Sequence, residues 1–336
     1  MTRPTVRSNQ AGVASIIVTM IMMVVITLIV IGFSQVARRN SRESLDRQLS
    51  TQAYYAAETG VNDAINAIKS NGSIIEKTSC QGGAGYTGLS GVLDATANVS
   101  YTCLLVNPSP TSLVYSTIEQ QKSTVVSLEI DGGINLGVLT FKWNSDGAGG
   151  PPPQCGSGSQ WPTAANWKCN HAMLRADLTK VNGGVTNAQG LNNTTTSLYM
   201  RPGPSSSGTI IDGTTKSYIS TASCNNSSCT AKIALAPAAQ SNRYFLRLTA
   251  MYENAKDVQV SGTNAAGSTA AFNNAQVVID STGKAQDQLR RISVRVPVGI
   301  SNSQTLPSNG LQTSAAICKR FTTGPAPLTT NSALCL

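Results

Sequence analysis

Gln10-Ala-Gly-Val-Ala-Ser-Ile-Ile-Val-Thr-Met-Ile-Met-Met-Val-Val-Ile-Thr-Leu-Ile-Val-Ile-Gly-Phe33, continued by Ser34-Gln-Val-Ala-Arg-Arg-Asn40, decides how the rest of the chain is read. Ala11 to Phe33 carries no charge, and at ~1.5 Å per residue a helix of that length crosses a bilayer core. Ser34 to Lys69 holds no proline and one glycine, Gly60. Ala53, Ala57, Val61, Ala64, Ile65 and Ile68 recur there at helical spacing on one face. Between the two halves, Arg42, Glu43, Asp46, Arg47 and Gln48 form a solvated collar. The pattern predicts one helix from about Val13 to Lys69, roughly 85 Å long if unbroken. Its first half is expected to lie in a membrane. Its second half is expected to bury Val61, Ile65 and Ile68 on a globular domain.

The order of features carries a family resemblance. A short basic leader, with Arg3 and Arg7, ends in Gly12 against the apolar run. The amphipathic extension reads Arg47-Gln-Leu-Ser-Thr-Gln-Ala-Tyr-Tyr-Ala-Ala-Glu-Thr-Gly-Val-Asn-Asp-Ala64. This resembles the N-terminus of the type IV pilin superfamily, in particular the PilX-type minor pilins, which often carry Gln-Ala-(aromatic)-(aromatic)-Ala-Ala-Glu-x-Gly-hydrophobic here. The resemblance covers about the first 70 residues, with a weaker echo over Tyr244 to Pro297. It implies cleavage between Gly12 and Val13 by a prepilin peptidase. It also implies a helix held by membrane lipid before assembly and by other pilins afterwards.

One position departs from the pattern. Counted from Val13, the fifth residue is Ile17, where most major pilins carry a glutamate that pairs with a neighbour's N-terminal amine. An uncharged residue there is similar to GspK-like subunits of type II secretion systems, which sit at filament tips. A bare carboxylate in lipid is costly, so its absence suits a subunit inserted first. The resemblance thus implies assembly or tip priming rather than a bulk role.

Composition fits an exported protein. The chain is 40% hydrophobic and only 12% charged, with few aromatics and abundant glycine. The net charge of +9 is scattered over sites such as Arg243/Arg247, Arg290/Arg291/Arg295 and Lys319/Arg320, and does not indicate specific nucleic-acid binding. All eight cysteines follow the apolar run: Cys80, Cys103, Cys155, Cys169, Cys224, Cys229, Cys318 and Cys335. An even number so placed points to an oxidising, extracytoplasmic compartment. Eight cysteines allow 105 pairings. The short Gly/Ser/Asn/Pro-rich spacers favour four local staples, 80–103, 155–169, 224–229 and 318–335. Pilins often have a C-terminal disulfide loop, which the last pair would match. Charge alone leaves the topology open, because Arg38, Arg39 and Arg42 follow the apolar run as Arg3 and Arg7 precede it. The cysteines favour a single pass with the C-terminal part outside, on the cell surface or a pilus.

Beyond the helix the chain reads as β-structure. Asn98 to Val106 is a predicted strand. Ser123 to Ile130 and Ile134 to Trp143 read as a hairpin about Asp131-Gly-Gly. His171 to Val181 reads as a strand or a short helix, and Leu191 to Arg201 and Lys216 to Ser220 as strands. Tyr244 to Thr249, Asp257 to Ser261, Gln276 to Ser281 and Leu289 to Val296 alternate, which predicts an antiparallel sheet with one buried face. The expected fold class is α+β: a long N-terminal helix packed on an antiparallel β-rich headgroup. The predicted parts are a leader, 1–12; the helix, 13–70, with its transmembrane part 11–33; a first β-rich part, 71–145; a disulfide-stapled insertion, 146–240; and a β-sheet with C-terminal disulfide region, 241–336.

No catalytic constellation emerges. His171, two residues after Cys169, is the only histidine, too few ligands for a Cys/His metal site, and there is no Gly-x-Ser-x-Gly elbow to make it a hydrolytic base. The 16 acidic residues are spread thinly and form neither a glycosidase pair nor an EF-hand loop. No catalytic, cofactor-binding or metal residue is assigned, and the ligand of the headgroup, if any, is unidentified. Trp143, Trp161 and Trp167 flank the Pro-rich break and read as core plugs rather than as ligand anchors. The rival reading is a non-filamentous, single-pass surface adhesin with a disulfide-stabilised β-domain.

Overall fold

The computed structural model describes residues 11–71, 74–80, 91–145, 166–167, 169–181 and 188–297. Helix α1 spans Ala11–Asn71. Strands follow as β1 Val92–Asp94, β2 Val99–Asn107, β3 Ser112–Ile118, β4 Ser123–Ile130, β5 Leu136–Asn144 and β6 Met173–Lys180. A short helix α2, Ala188–Thr194, precedes β7 Thr195–Gly203, β8 Thr209–Ile211, β9 Ser217–Cys224 and β10 Ser228–Leu235. The last are β11 Arg243–Met251, β12 Ala255–Asn264, β13 Phe272–Asn273, β14 Gln276–Ala285 and β15 Gln288–Pro297. The chain is thus α+β: one long helix, apolar in its first part, and a large β-rich domain.

These elements form two compact units. Unit 1 comprises residues 1–108 and 278–296, and unit 2 residues 109–277 and 297–336. The sheet of unit 1 has the order β1-β2-β14-β15. β14 passes directly into β15 through Gln286 and Asp287, with Gln286 at φ 54°. In β15, Ile292, Val294 and Val296 are half-buried, whereas Arg291, Ser293 and Arg295 are exposed, the period of a one-sided strand.

Unit 2 is built on an eleven-stranded sheet of order β13-β4-β11-β6-β7-β9-β10-β5-β12-β3, with β8 attached to β10. Most pairings are antiparallel, but β7·β9 and β8·β10 are parallel. Alternation drives the burial: Tyr244, Leu246, Leu248 and Ala250 of β11 point into the core, whereas Phe245, Arg247 and Thr249 are only partly buried. The core includes Phe141, Trp143, Leu174, Tyr244 and Phe272, each almost wholly removed from solvent. The ends of the strand order are drawn together by one segment. Phe272 pairs with Ile130 of β4 and donates its N–H to Pro110 O at 3.0 Å, just ahead of β3. Four residues on, the Gln276 side-chain amide accepts from Val114 N at 3.0 Å and donates to Val114 O at 2.9 Å. A side chain here supplies what a neighbouring strand would, so β3 is capped at that point.

The predicted hairpin of Ser123–Ile130 with Ile134–Trp143 does not form. β4 pairs with β11 and β13, and β5 with β10 and β12. The backbone of Ser241 and Asn242 comes between them: Ile130 N donates to Asn242 O at 2.9 Å and Leu136 N to Ser241 O at 2.8 Å. Gly132 and Gly133, both at φ 69°, turn the chain, but the hydrogen bonds that a hairpin needs are already taken. The four alternating runs after residue 242 likewise do not share one sheet. β11 and β12 belong to the eleven-stranded sheet, and β14 and β15 to the four-stranded one.

Candidate functional site

The feature with the clearest physical purpose is α1. From Ile16 to Phe33 its large apolar side chains are exposed to 45% or more, and the helix is long and apolar enough to cross a membrane. The two threonines of the apolar run are satisfied internally: Thr19 Oγ1 donates to Ile16 O at 2.9 Å and Thr27 Oγ1 to Met23 O at 2.7 Å. A hydroxyl bonded to its own helix removes the cost of an unpaired polar group in hydrocarbon. Gly12 and Val13, the expected processing site, lie in the first turn of α1, and Ile17 is 54% exposed.

Beyond the apolar run, residues 34–48 are exposed on all sides. Arg39 Nε pairs with Glu43 at 3.3 Å, an exposed i,i+4 contact of small energetic weight. From Ala53 the burial changes. Ala53, Ala56, Ala57, Gly60, Val61 and Ala64 are buried, while Tyr54, Tyr55 and Glu58 face solvent. Val61 is 5% exposed, and Ile65 and Ile68 are half-buried. The stripe is thus dominated by small residues, which let a helix backbone approach a strand closely.

The atoms that meet this stripe come from unit 1. A Cβ added at Gly283 of β14 would lie closer than 3.0 Å to Ala53 O and Ala57 N, and one added at Gly60 closer than 3.0 Å to Ser281 Oγ. Tyr101 of β2 donates its hydroxyl to Asp63 at 2.9 Å. Burial, reinforced by the Asp63 carboxylate, pushes the Tyr101 phenol well above its ordinary range. Arg290 Nε donates to Ser50 Oγ at 2.7 Å, and Arg291 forks onto Asp280 at 2.7 and 2.6 Å. Gly283, Tyr101, Asp63 and Ser281 were not singled out by the sequence reading. Only the recurrence of alanine and glycine at positions 53, 56, 57, 60 and 64 signals such a surface, and it names one side of the contact.

Two cysteine pairs are bonded, Cys80–Cys103 and Cys224–Cys229. Cys169 is also disulfide-bonded, and Cys155, Cys318 and Cys335 lie outside the described residues. Cys229 and Cys224 are cross-strand partners of β10·β9, and the turn between them is knitted by the Asn225 side chain, which accepts from Ser227 N and Ser228 N. Among the described residues no group of three metal-ligating side chains occurs. Trp143 is fully buried and donates its indole N–H to Ala172 O at 2.9 Å. Trp167 stacks on Tyr252 at 4.3 Å, and Trp161 lies outside the described residues.

His171 is 1% exposed. Its Nε2–H donates to Asn225 O at 2.9 Å, while Nδ1 is buried without a hydrogen-bond partner among the described residues. Burial holds the imidazole below its ordinary range, because a second proton would have no acceptor. The folded protein therefore binds that proton less readily than the unfolded chain. Above about pH 6.5 both states are neutral and stability is complete; as pH falls below that value the unfolded state takes the proton first and stability declines. His171→Gln, which keeps a donor for Asn225 O, is expected to flatten this decline. Urea midpoints at about pH 7 and about pH 5 measure it; an equal acid loss in the variant would rule His171 out as its source.

No protein family model matches the chain, and neither does a curated protein or a solved structure.

Proposed function

We propose that this chain is a membrane-anchored minor subunit of a type IV pilus or a related filament, acting in assembly or tip priming, with adhesion as a further role of its β-rich domain. The observation that carries this reading is α1 itself: one continuous helix with an exposed apolar first half and a second half that buries small residues. Such a helix is satisfied equally by lipid or by neighbouring helices, which is what a subunit that leaves the membrane for a filament needs. The reading includes a helix seated on the β-rich headgroup, with Val61, Ile65 and Ile68 at the contact. It also includes an extracytoplasmic location for the disulfide-bonded domain. Ile17, uncharged where a bulk subunit would carry a carboxylate, supports placement at a tip.

Processing tests the proposal. Cleavage is expected between Gly12 and Val13, so N-terminal sequencing of the mature protein should begin at Val13. Gly12→Leu should leave the precursor uncut. Normal maturation of that variant, or a native protein that retains Thr2, would favour the permanently anchored adhesin instead. Immunogold labelling of sheared filaments addresses position: label at the ends fits tip priming, and dense label along the shaft refutes it.

A further inference from the structure

We propose that Arg38, Arg39 and Arg42 form a collar that binds the phosphates of anionic phospholipids at the membrane face where α1 emerges. The proposal rests on the anchoring role given above and goes beyond it by naming a lipid class. The three arginines begin five residues past Phe33, so their backbones lie about 8 to 14 Å beyond the apolar run along the helix axis. The polar layer of a bilayer adds about 5 to 8 Å on each side of the hydrocarbon. Side chains on a helix lean towards its N-terminus, which here means back towards the membrane. The guanidinium groups of Arg38 and Arg39 therefore reach phosphate level, and that of Arg42 reaches its outer rim.

Of the three guanidinium groups, Arg39 alone has an ion-pair partner among the described residues. Residues 34–48 are exposed throughout, and Arg38 and Arg42 form no ion pair among the described residues. The acidic residues of the same stretch are Glu43 and Asp46, both farther from the apolar run than all three arginines. Glu43 engages Arg39 at 3.3 Å, with the arginine side chain 82% exposed, so that contact is exchangeable for a phosphate. Charge is thus graded along the axis, positive next to the membrane and mixed above it. A guanidinium fork takes two oxygens of a phosphate at once, and a net negative headgroup is preferred because no choline cation opposes the arginines.

The test uses the full chain in phosphatidylcholine vesicles with trace spin-labelled phosphatidylglycerol or phosphatidylcholine. The expected result is a larger motionally restricted fraction for phosphatidylglycerol, diminished by added salt. Arg38→Gln/Arg39→Gln/Arg42→Gln should lower the phosphatidylglycerol preference at least about fivefold, the effect of losing one such cation near an anionic surface. It should leave the restricted phosphatidylcholine fraction unchanged. Lysine at the same three positions should retain most of the preference. Equal restriction of both labels in the native protein, or an undiminished preference in the triple glutamine variant, overturns the collar while leaving the anchor intact. Absence of restricted lipid of either kind overturns the anchor and the collar together.

Discussion

Gly283→Val is expected to lift the second half of α1 from the small sheet and to cost about 3 kcal/mol or more, the upper end of overpacking effects. The added Cβ would meet the backbone of Ala53 and Ala57, and backbone cannot rotate aside as a side chain can. The strand and the helix would have to separate, exposing Ala53, Ala56, Ala57 and Ala64, all now fully buried. Gly60→Ala should do less. Its nearest neighbour is Ser281 Oγ, a buried hydroxyl without a hydrogen-bond partner among the described residues, which turns away without breaking a bond. Gly32→Ala, with no atom within 4 Å, should cause no loss. Amide hydrogen exchange over residues 53–64 reads all three variants. Full protection there in Gly283→Val would mean that the helix does not depend on this approach.

Trp143→Ala should cost about 3 to 5 kcal/mol, since it empties the largest fully buried side chain of unit 2. The residue also anchors a connection: its indole N–H is bonded to Ala172 O, and its strand position faces Cys229. Trp143→Phe keeps most of the volume but leaves the Ala172 carbonyl unpaired, a loss of about 1 to 3 kcal/mol. Denaturant midpoints followed by circular dichroism should rank native, phenylalanine and alanine forms in that order. A loss below about 1 kcal/mol for the alanine form would show that neighbouring strands collapse into the space.

The helix was legible from its residues because an uncharged run and a 3.6-residue period leave few other choices. The strand positions of β4, β11 and β15 were legible for the same reason, as alternation over eight to ten residues is a local signal. Pairing is not local. Asp131-Gly-Gly looked like a hairpin turn, yet Ser241 and Asn242, more than a hundred residues later, take the bonds of both flanking strands. The Pro-rich break set 146–240 apart in the sequence, whereas β6 pairs with β11 and β10 with β5 across both ends of that stretch. Strands β3 and β8 gave too little alternation or length to be picked out, whereas β10 alternates over eight residues but opens its buried face with the small Cys229 and Ala231 and was not picked out. The close approach of α1 and β14 had only one visible side, since a glycine in a strand does not announce which helix will touch it.

Asn107 and Val278 are register partners in β2·β14, so unit 2 leaves and rejoins the small sheet at neighbouring rungs of one ladder. In an unfolded chain, closing a loop that long costs roughly 4 to 5 kcal/mol of entropy. Unit 2 holds its own two ends together from within, through Ser109 Oγ with Asn273 Oδ1, Phe272 N with Pro110 O, and the Gln276 amide on Val114. Once it has folded, the small sheet meets two strands already side by side. Assembly then has a direction, with the large domain acting as a clasp that must shut before the surface for α1 exists. Pulse-labelled hydrogen exchange during refolding should find β11 protected ahead of β14, and the reverse order would dismiss the clasp.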